Sequence, residues 1–100
     1  MTTRIATLNI RHGGSKHAAA LTARLLGYDA DILVITEFRA NAAGAGLINR
    51  LTEAGYDTSH PRVAPNVNTV LIAARGGIER SWAFGDALHV VARRPAAGLP

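Results

Sequence analysis

Cysteine is absent from the sequence, and aromatic side chains are scarce: one Trp, two Tyr and two Phe in 100 residues. Without cysteine the chain has neither disulfides nor thiolate metal sites, and a reducing compartment is compatible with it. No apolar leader precedes residue 4, and no stretch approaches the roughly 20 apolar residues of a membrane-spanning helix. We therefore expect a cytoplasmic protein whose core is built mainly from small aliphatic side chains.

Acidic residues are also few, because seven Asp and Glu face eleven Lys and Arg, which gives a formal net charge of +4. Ten of the eleven cations are arginine. This excess favours polyanionic partners, either nucleic acid or a phosphorylated small molecule. The arginines are scattered and form no run, so the charge alone leaves open whether they make a binding surface or an ordinary solvated one.

Apolar patterning predicts alternating strands and helices in a single domain spanning residues 1–100. Strands are predicted at 4–10, 32–35, 56–60 and 68–74, and helices at 16–26, capped by Ser15, and at 46–54. The pattern is clear to about residue 75. Beyond it, 78–84 and 87–91 could each be a strand, and 93–100 resembles coil. The order indicates an α/β layer with helices packed on a sheet. We expect Trp82 and Phe84 to be core residues, and the alternative is a platform on which bases stack.

Two predicted strands end in side chains that could bind a cation. Asn9 closes the first strand and Glu37 follows the second, and ligands of α/β sheets bind beyond the carboxyl ends of strands. Amide and carboxylate oxygens are hard ligands that Mg²⁺ accepts, with water and substrate phosphate completing its shell. The alternative is that Glu37 is a solvated turn residue and that Asn9 hydrogen-bonds its own turn. Spacing alone favours this alternative.

Three segments resemble the endonuclease/exonuclease/phosphatase superfamily, in the family's order, over residues 4–75. TLNIRHG at 7–13 looks like its first motif, and DILVITE at 31–37 looks like its second, Asp-Ile-(apolar)₃-Gln-Glu. NTVLIAAR at 68–75 is similar to a family strand that reads Gly-Val-apolar-Ile-x-Ser-Arg. The resemblance implies the N-terminal half of that family's α/β sandwich, with a mixed sheet and helices on one face.

The same resemblance implies roles for individual residues. Asn9 and Glu37 match the family's metal ligands. The metal implied is Mg²⁺, which Mn²⁺ could replace. His12 becomes the candidate catalytic residue, able to contact a scissile phosphate, with an exposed loop histidine as the alternative.

The phosphate-binding candidates are Arg11, Arg39 and Asn68. The two arginines each lie two residues after a ligand, where arginines of the deoxyribonuclease I-like branch approach the nucleic-acid backbone. A planar guanidinium can bind phosphate through two parallel hydrogen bonds. Ordinary surface charge is the alternative for both arginines.

The departures from the family pattern limit the expected activity. Thr36 replaces the usual Gln, and the later Asp-x-Asn and Ser-Asp-His motifs do not occur in these 100 residues. We therefore expect a truncated Mg²⁺-dependent phosphoesterase or nuclease-like domain, for phosphodiesters or phosphomonoesters, that is inactive alone. The alternatives are a non-catalytic basic module that binds nucleic acid or phosphate, and a half-sheet with an open edge that does not fold stably.

Overall fold

The computed structural model describes residues 3–11, 18–84 and 87–93. It confirms an α/β class with a mixed sheet and two helices. The elements, in chain order, are β1 (Ile5–Asn9), α1 (Ala18–Gly27), β2 (Ile32–Phe38), α2 (Ala42–Glu53), β3 (Asp57–Ser59), β4 (Thr69–Ala74), β5 (Ile78–Phe84) and β6 (Ala87–Ala92). None of the helices in these described ranges is long and apolar enough to cross a membrane. The Ser15 cap and most of the predicted coil tail lie outside the described residues.

Four strands form the main sheet in the order β1-β2-β4-β3, and β5 and β6 form a separate two-stranded hairpin. β1 runs parallel to β2, whereas β4 is antiparallel to both β2 and β3. A parallel pair needs a crossover, which α1 supplies between β1 and β2. The carboxyl ends of β1 and β2 therefore lie at the same edge of the sheet as the amino end of β4.

The core lies between one face of this sheet and the two helices. Alternation along β2 places Leu33 and Ile35 on that face, where both are almost fully buried. Leu71 and Ala73 continue the face on β4. The helices complete the cluster with Leu25, Leu47 and Leu51. Burial of these aliphatic side chains is the main source of stability, because each leucine or isoleucine contributes about 1.5–3 kcal/mol when removed from water.

A bulge changes the side-chain alternation at the end of β2. Regular alternation would place residue 37 on the core face beside Leu33 and Ile35. Instead the register shifts between Thr36 and Phe38, and Glu37 has φ +56°. The extra residue brings Phe38 onto the core face, where it is 0% exposed, and leaves the Glu37 carboxylate at the end of the sheet. The predicted strand stopped at residue 35, whereas the bulge allows β2 to reach Phe38.

Helix α2 begins at Ala42, four residues before the predicted start at residue 46. Asn41 caps it, because the Asn41 side chain accepts a hydrogen bond from the Gly44 backbone N–H at 2.9 Å. Asparagine is among the best residues at this position, since its oxygen satisfies a donor that the helix leaves free. The first turn, AAGA, has no large apolar residue, which is why the periodicity placed the start too late.

The hairpin is attached to the main sheet by polar contacts. Ser59 and Ser81 share a hydrogen bond between their hydroxyls at 2.9 Å, and the Ile78 backbone N–H donates to Asp57 at 2.9 Å. The prediction that Trp82 and Phe84 are core residues is wrong, because they are 48% and 82% exposed. The hairpin does not pack these two side chains into the core between the sheet and the helices.

Arg75 lies at the edge of the sheet opposite the carboxyl ends of β1 and β2, and it connects β4 to the turn before β2. Its guanidinium donates to Asp29 and to the Ala30 carbonyl, both at 2.8 Å, and it lies 5.6 Å from the Tyr56 ring centre. Burial by itself would lower the pKa of Arg75, but the hydrogen bond to Asp29 and the nearby Tyr56 outweigh it and raise that pKa. Arg75 therefore has a structural role in closing this edge.

Candidate functional site

The sheet pairing brings Asn9 beside the end of β2. β1 and β2 are paired in parallel, with Asn9 opposite Thr36, and the Ile10 backbone N–H donates to the Thr36 carbonyl at 3.0 Å. Glu37 is the next residue along β2. The two residues that the sequence predicts as metal ligands therefore lie at the carboxyl ends of neighbouring strands, at one edge of the sheet. We call the group formed by Asn9, Arg11, Glu37, Arg39 and Asn68 the strand-end site.

Asn9 is held by its own turn. Its side-chain oxygen accepts a hydrogen bond from the Arg11 backbone N–H at 2.9 Å, which is the local interaction that the alternative interpretation expected. An amide oxygen has two lone pairs, so this bond leaves a second acceptor position. The turn consequently fixes the orientation of the Asn9 side-chain oxygen and leaves one of its two lone pairs able to accept a further bond.

Two residues of the site have backbone conformations that side chains normally avoid. Arg11 has φ +51° and Glu37 has φ +56°, and only Asp29 shares this property among the non-glycine residues that the structure describes. A left-handed conformation costs about 1–2 kcal/mol per non-glycine residue. Strain of this kind is concentrated at functional sites, where the surrounding structure maintains it.

Arg39 and Asn68 are joined although 29 positions separate them in sequence. The Arg39 Nε donates to the Asn68 side-chain oxygen at 2.7 Å. Phe38 is paired with Thr69 in the antiparallel ladder of β2 and β4. Arg39, which follows Phe38, therefore lies opposite Asn68, which precedes Thr69. The bond restricts the guanidinium of Arg39 and turns the Asn68 amide oxygen towards it.

The site has few carboxylates. Among the described residues no group of three or more His, Cys, Asp or Glu side chains could hold a metal ion. Asn9 and Glu37 would thus supply one amide and one carboxylate oxygen. These donors fit the chemistry of Mg²⁺, which is commonly held by one or two protein carboxylates and keeps several waters. His12, the candidate catalytic residue, lies outside the described residues.

Comparisons of the chain with known protein families, with curated protein sequences and with solved structures gave no match. The function of the strand-end site is therefore inferred from its own residues and from the motif resemblance.

Two features of this site were missed at the sequence level. The bulge at Glu37 was signalled only by Phe38, an apolar residue placed one position too late for alternation beyond Ile35. The Arg39–Asn68 bond left no sequence signal, because it depends on the antiparallel register of β2 and β4.

Proposed function

We propose that the strand-end site binds Mg²⁺ through Asn9 and Glu37, as the metal-binding part of a phosphoesterase domain of the endonuclease/exonuclease/phosphatase type. The observation that supports this most is the parallel pairing that places Asn9 opposite Thr36, one residue before Glu37. The β1-α1-β2 crossover and the antiparallel β4 are compatible with the N-terminal half of that family's sandwich. A cytoplasmic location suits this proposal, because Mg²⁺ and nucleic acid are both available there.

The residues of the site have distinct tasks in this proposal. Arg39, oriented by Asn68, and Arg11 bind the oxygens of a phosphodiester or phosphomonoester, and His12 contacts the scissile phosphate. When bound, Mg²⁺ supplies polarisation of that phosphate and stabilises charge on the leaving oxygen. These 100 residues lack the Asp-x-Asn and Ser-Asp-His motifs. We therefore expect the chain alone to bind metal and phosphate while hydrolysing phosphate esters at a negligible rate.

Glu37→Gln is expected to weaken Mg²⁺ binding at least tenfold, measured by isothermal titration calorimetry. The substitution keeps the shape of the side chain and removes the only carboxylate of the proposed ligand pair. Glu53→Gln is the matched control, since it removes one negative charge at the end of α2, away from the site. Equal Mg²⁺ affinity in the parent chain and in Glu37→Gln would refute the metal assignment.

The second candidate function is a non-catalytic module that grips nucleic acid or phosphate through the same edge. It is favoured by the bond between Arg39 and Asn68, which orients a guanidinium at the strand ends for phosphate. Glu37→Gln separates the two functions. In a binding module it leaves nucleic-acid affinity unchanged or raises it, because a negative charge near phosphate is removed.

For either function, Arg11→Ala combined with Arg39→Ala is expected to weaken binding to a DNA duplex. Loss of two phosphate contacts reduces the slope of log affinity against log salt by about 2. Fluorescence anisotropy at several NaCl concentrations measures this slope. The control pair, Arg24→Ala with Arg50→Ala, removes the same charge from the helices. If both pairs weaken binding equally, the strand-end arginines act only through net charge.

A further inference from the structure

One face of the β5–β6 hairpin carries an arginine and three aromatic rings. Side chains alternate along a strand, so Arg80, Trp82 and Phe84 share one face of β5. His89 pairs directly with Trp82 across the ladder and therefore lies on the same face. All four residues are exposed. We call this group, Arg80, Trp82, Phe84 and His89, the stacking face.

Two rings of the stacking face are stacked nearly parallel to each other. The Trp82 and His89 rings lie 5.1 Å apart with an angle of 10° between their planes. The guanidinium carbon of Arg80 is 5.5 Å from the centre of the Trp82 ring, a cation–π distance. Phe84 is 82% exposed and makes no ring contact with any described residue. Contiguous exposed apolar surface marks interaction sites, whereas singly scattered apolar residues need no explanation.

The opposite face of the hairpin provides the attachment to the rest of the protein. Ser81 is hydrogen-bonded to Ser59 on β3, and Leu88 and Val90 are half-buried. The stacking face is therefore free to be reached by a ligand.

A groove of about 370 Å³ lies between the hairpin and the main sheet. The hairpin lines it with Trp82 and His89 and with the aliphatic side chains Leu88, Val90 and Ala92, and β2 and β4 line its other side with Ile32, Val34 and Ile72. Its volume falls within the range of small-ligand sites, about 300–1,000 Å³. A planar heterocycle entering it would meet aromatic and aliphatic surfaces.

The charge of the stacking face identifies the class of ligand. Glu79, the acidic residue of β5, is engaged by Arg93 at 3.2 Å. Arg80 forms no ion pair with any carboxylate in the described part of the chain. An unpaired arginine alternating with exposed aromatic residues suits a ligand that has flat rings and negative charge along one line. Single-stranded nucleic acid has both, since its bases stack on aromatic side chains and its phosphates attract arginine.

We propose that the stacking face binds single-stranded nucleic acid, with bases stacked on Phe84 and against the Trp82–His89 pair and with the phosphates next to Arg80. The inference depends on the hairpin alone and not on a metal ion at the strand-end site. It adds a site for bases to a protein whose strand ends are suited to phosphate. Recognition by stacking is tolerant of sequence, because every base has a flat face.

The test uses the only tryptophan of the chain, Trp82, as the reporter. A 12-residue oligothymidylate is titrated into the parent chain in EDTA, and we expect saturable quenching of Trp82 emission. Phe84→Ala should weaken this binding about tenfold while leaving the far-ultraviolet circular dichroism unchanged. Val67→Ala is the control, since Val67 is also apolar and 45% exposed but lies on a loop outside the stacking face. It should bind as the parent does.

Four results would overturn the inference. Trp82 emission could be unaffected by the oligonucleotide, or Phe84→Ala could bind as tightly as Val67→Ala. Polyphosphate or a DNA duplex could quench as effectively as the single strand, which would mean that the stacking face binds through charge and not through base stacking. Emission that depends on protein concentration, with a dimer in sedimentation, would assign the face to a second copy of the chain. All of these titrations are made in EDTA without Mg²⁺, so failure of the metal site is distinguishable from failure of the stacking face.

Discussion

Phe38→Ala is expected to lower the free energy of unfolding by about 3–5 kcal/mol. Phe38 is 0% exposed, belongs to the core cluster and lies 5.1 Å from the His60 ring. Its removal leaves a cavity beneath the start of α2 that the backbone cannot close. Because a domain of this size has a total stability of about 5–15 kcal/mol, urea denaturation followed by circular dichroism should show a much lower midpoint.

Phe84→Ala is the matched control, because it removes the same side chain from a position that is 82% exposed. We expect it to change stability by no more than about 0.5 kcal/mol. These are the two phenylalanines of the chain. A loss below about 1 kcal/mol for Phe38→Ala would mean that the bulge at Glu37 does not bring this ring into the core.

Gly44→Ala is expected to destabilise the protein by about 1–3 kcal/mol, although alanine normally stabilises a helix relative to glycine by about 1 kcal/mol. A methyl group at Gly44 would overlap the Arg39 carbonyl oxygen and lie 3.0 Å from two ring atoms of Phe38. The backbone at Arg39 and the N-terminus of α2 would have to separate. Thermal unfolding measures the change.

Gly46→Ala is the natural comparison, two residues further along the same helix. The nearest atom to its new methyl group would be a side-chain nitrogen of Arg50 at 3.6 Å, an ordinary contact. This variant should gain about 0.5–1 kcal/mol, so the two substitutions are expected to shift the melting temperature in opposite directions. Stabilisation by both would show that α2 does not approach Arg39 as closely as the structure has it.

The main sheet and the helices could be predicted because their signals are local. β-Branched and apolar runs identified β2 and β4, and the leucines of α1 and α2 followed helical spacing. The start of α2 could not be placed, since residues 42–45 are small and its cap, Asn41, lies before them. Exposure of Trp82 was also beyond the sequence, because a strand pattern does not say which face another layer will cover.

The candidate site also has some features that the sequence predicts and others that only the tertiary structure shows. That Asn9 and Glu37 follow strand ends is readable from the sequence, and the general rule for α/β sheets then brings them to one edge. Their separation by one register position required the parallel pairing. The partnership of Arg39 with Asn68 spans 29 residues and arises only through tertiary structure. Metal binding itself stays a prediction, as does the role of His12.

The bulge also determines how this segment can tolerate insertions and deletions. Between Ile35 and Phe38, one extra residue exchanges the positions of a carboxylate and a phenyl ring relative to the core. A one-residue deletion there would restore the regular ladder and keep the ring on the core face, while it either removes the acid or moves it from the bulge to an outward-facing position of the strand. When homologues of this chain are aligned, a gap between these two positions should be treated as a change of the site, even where the core and every flanking residue are identical.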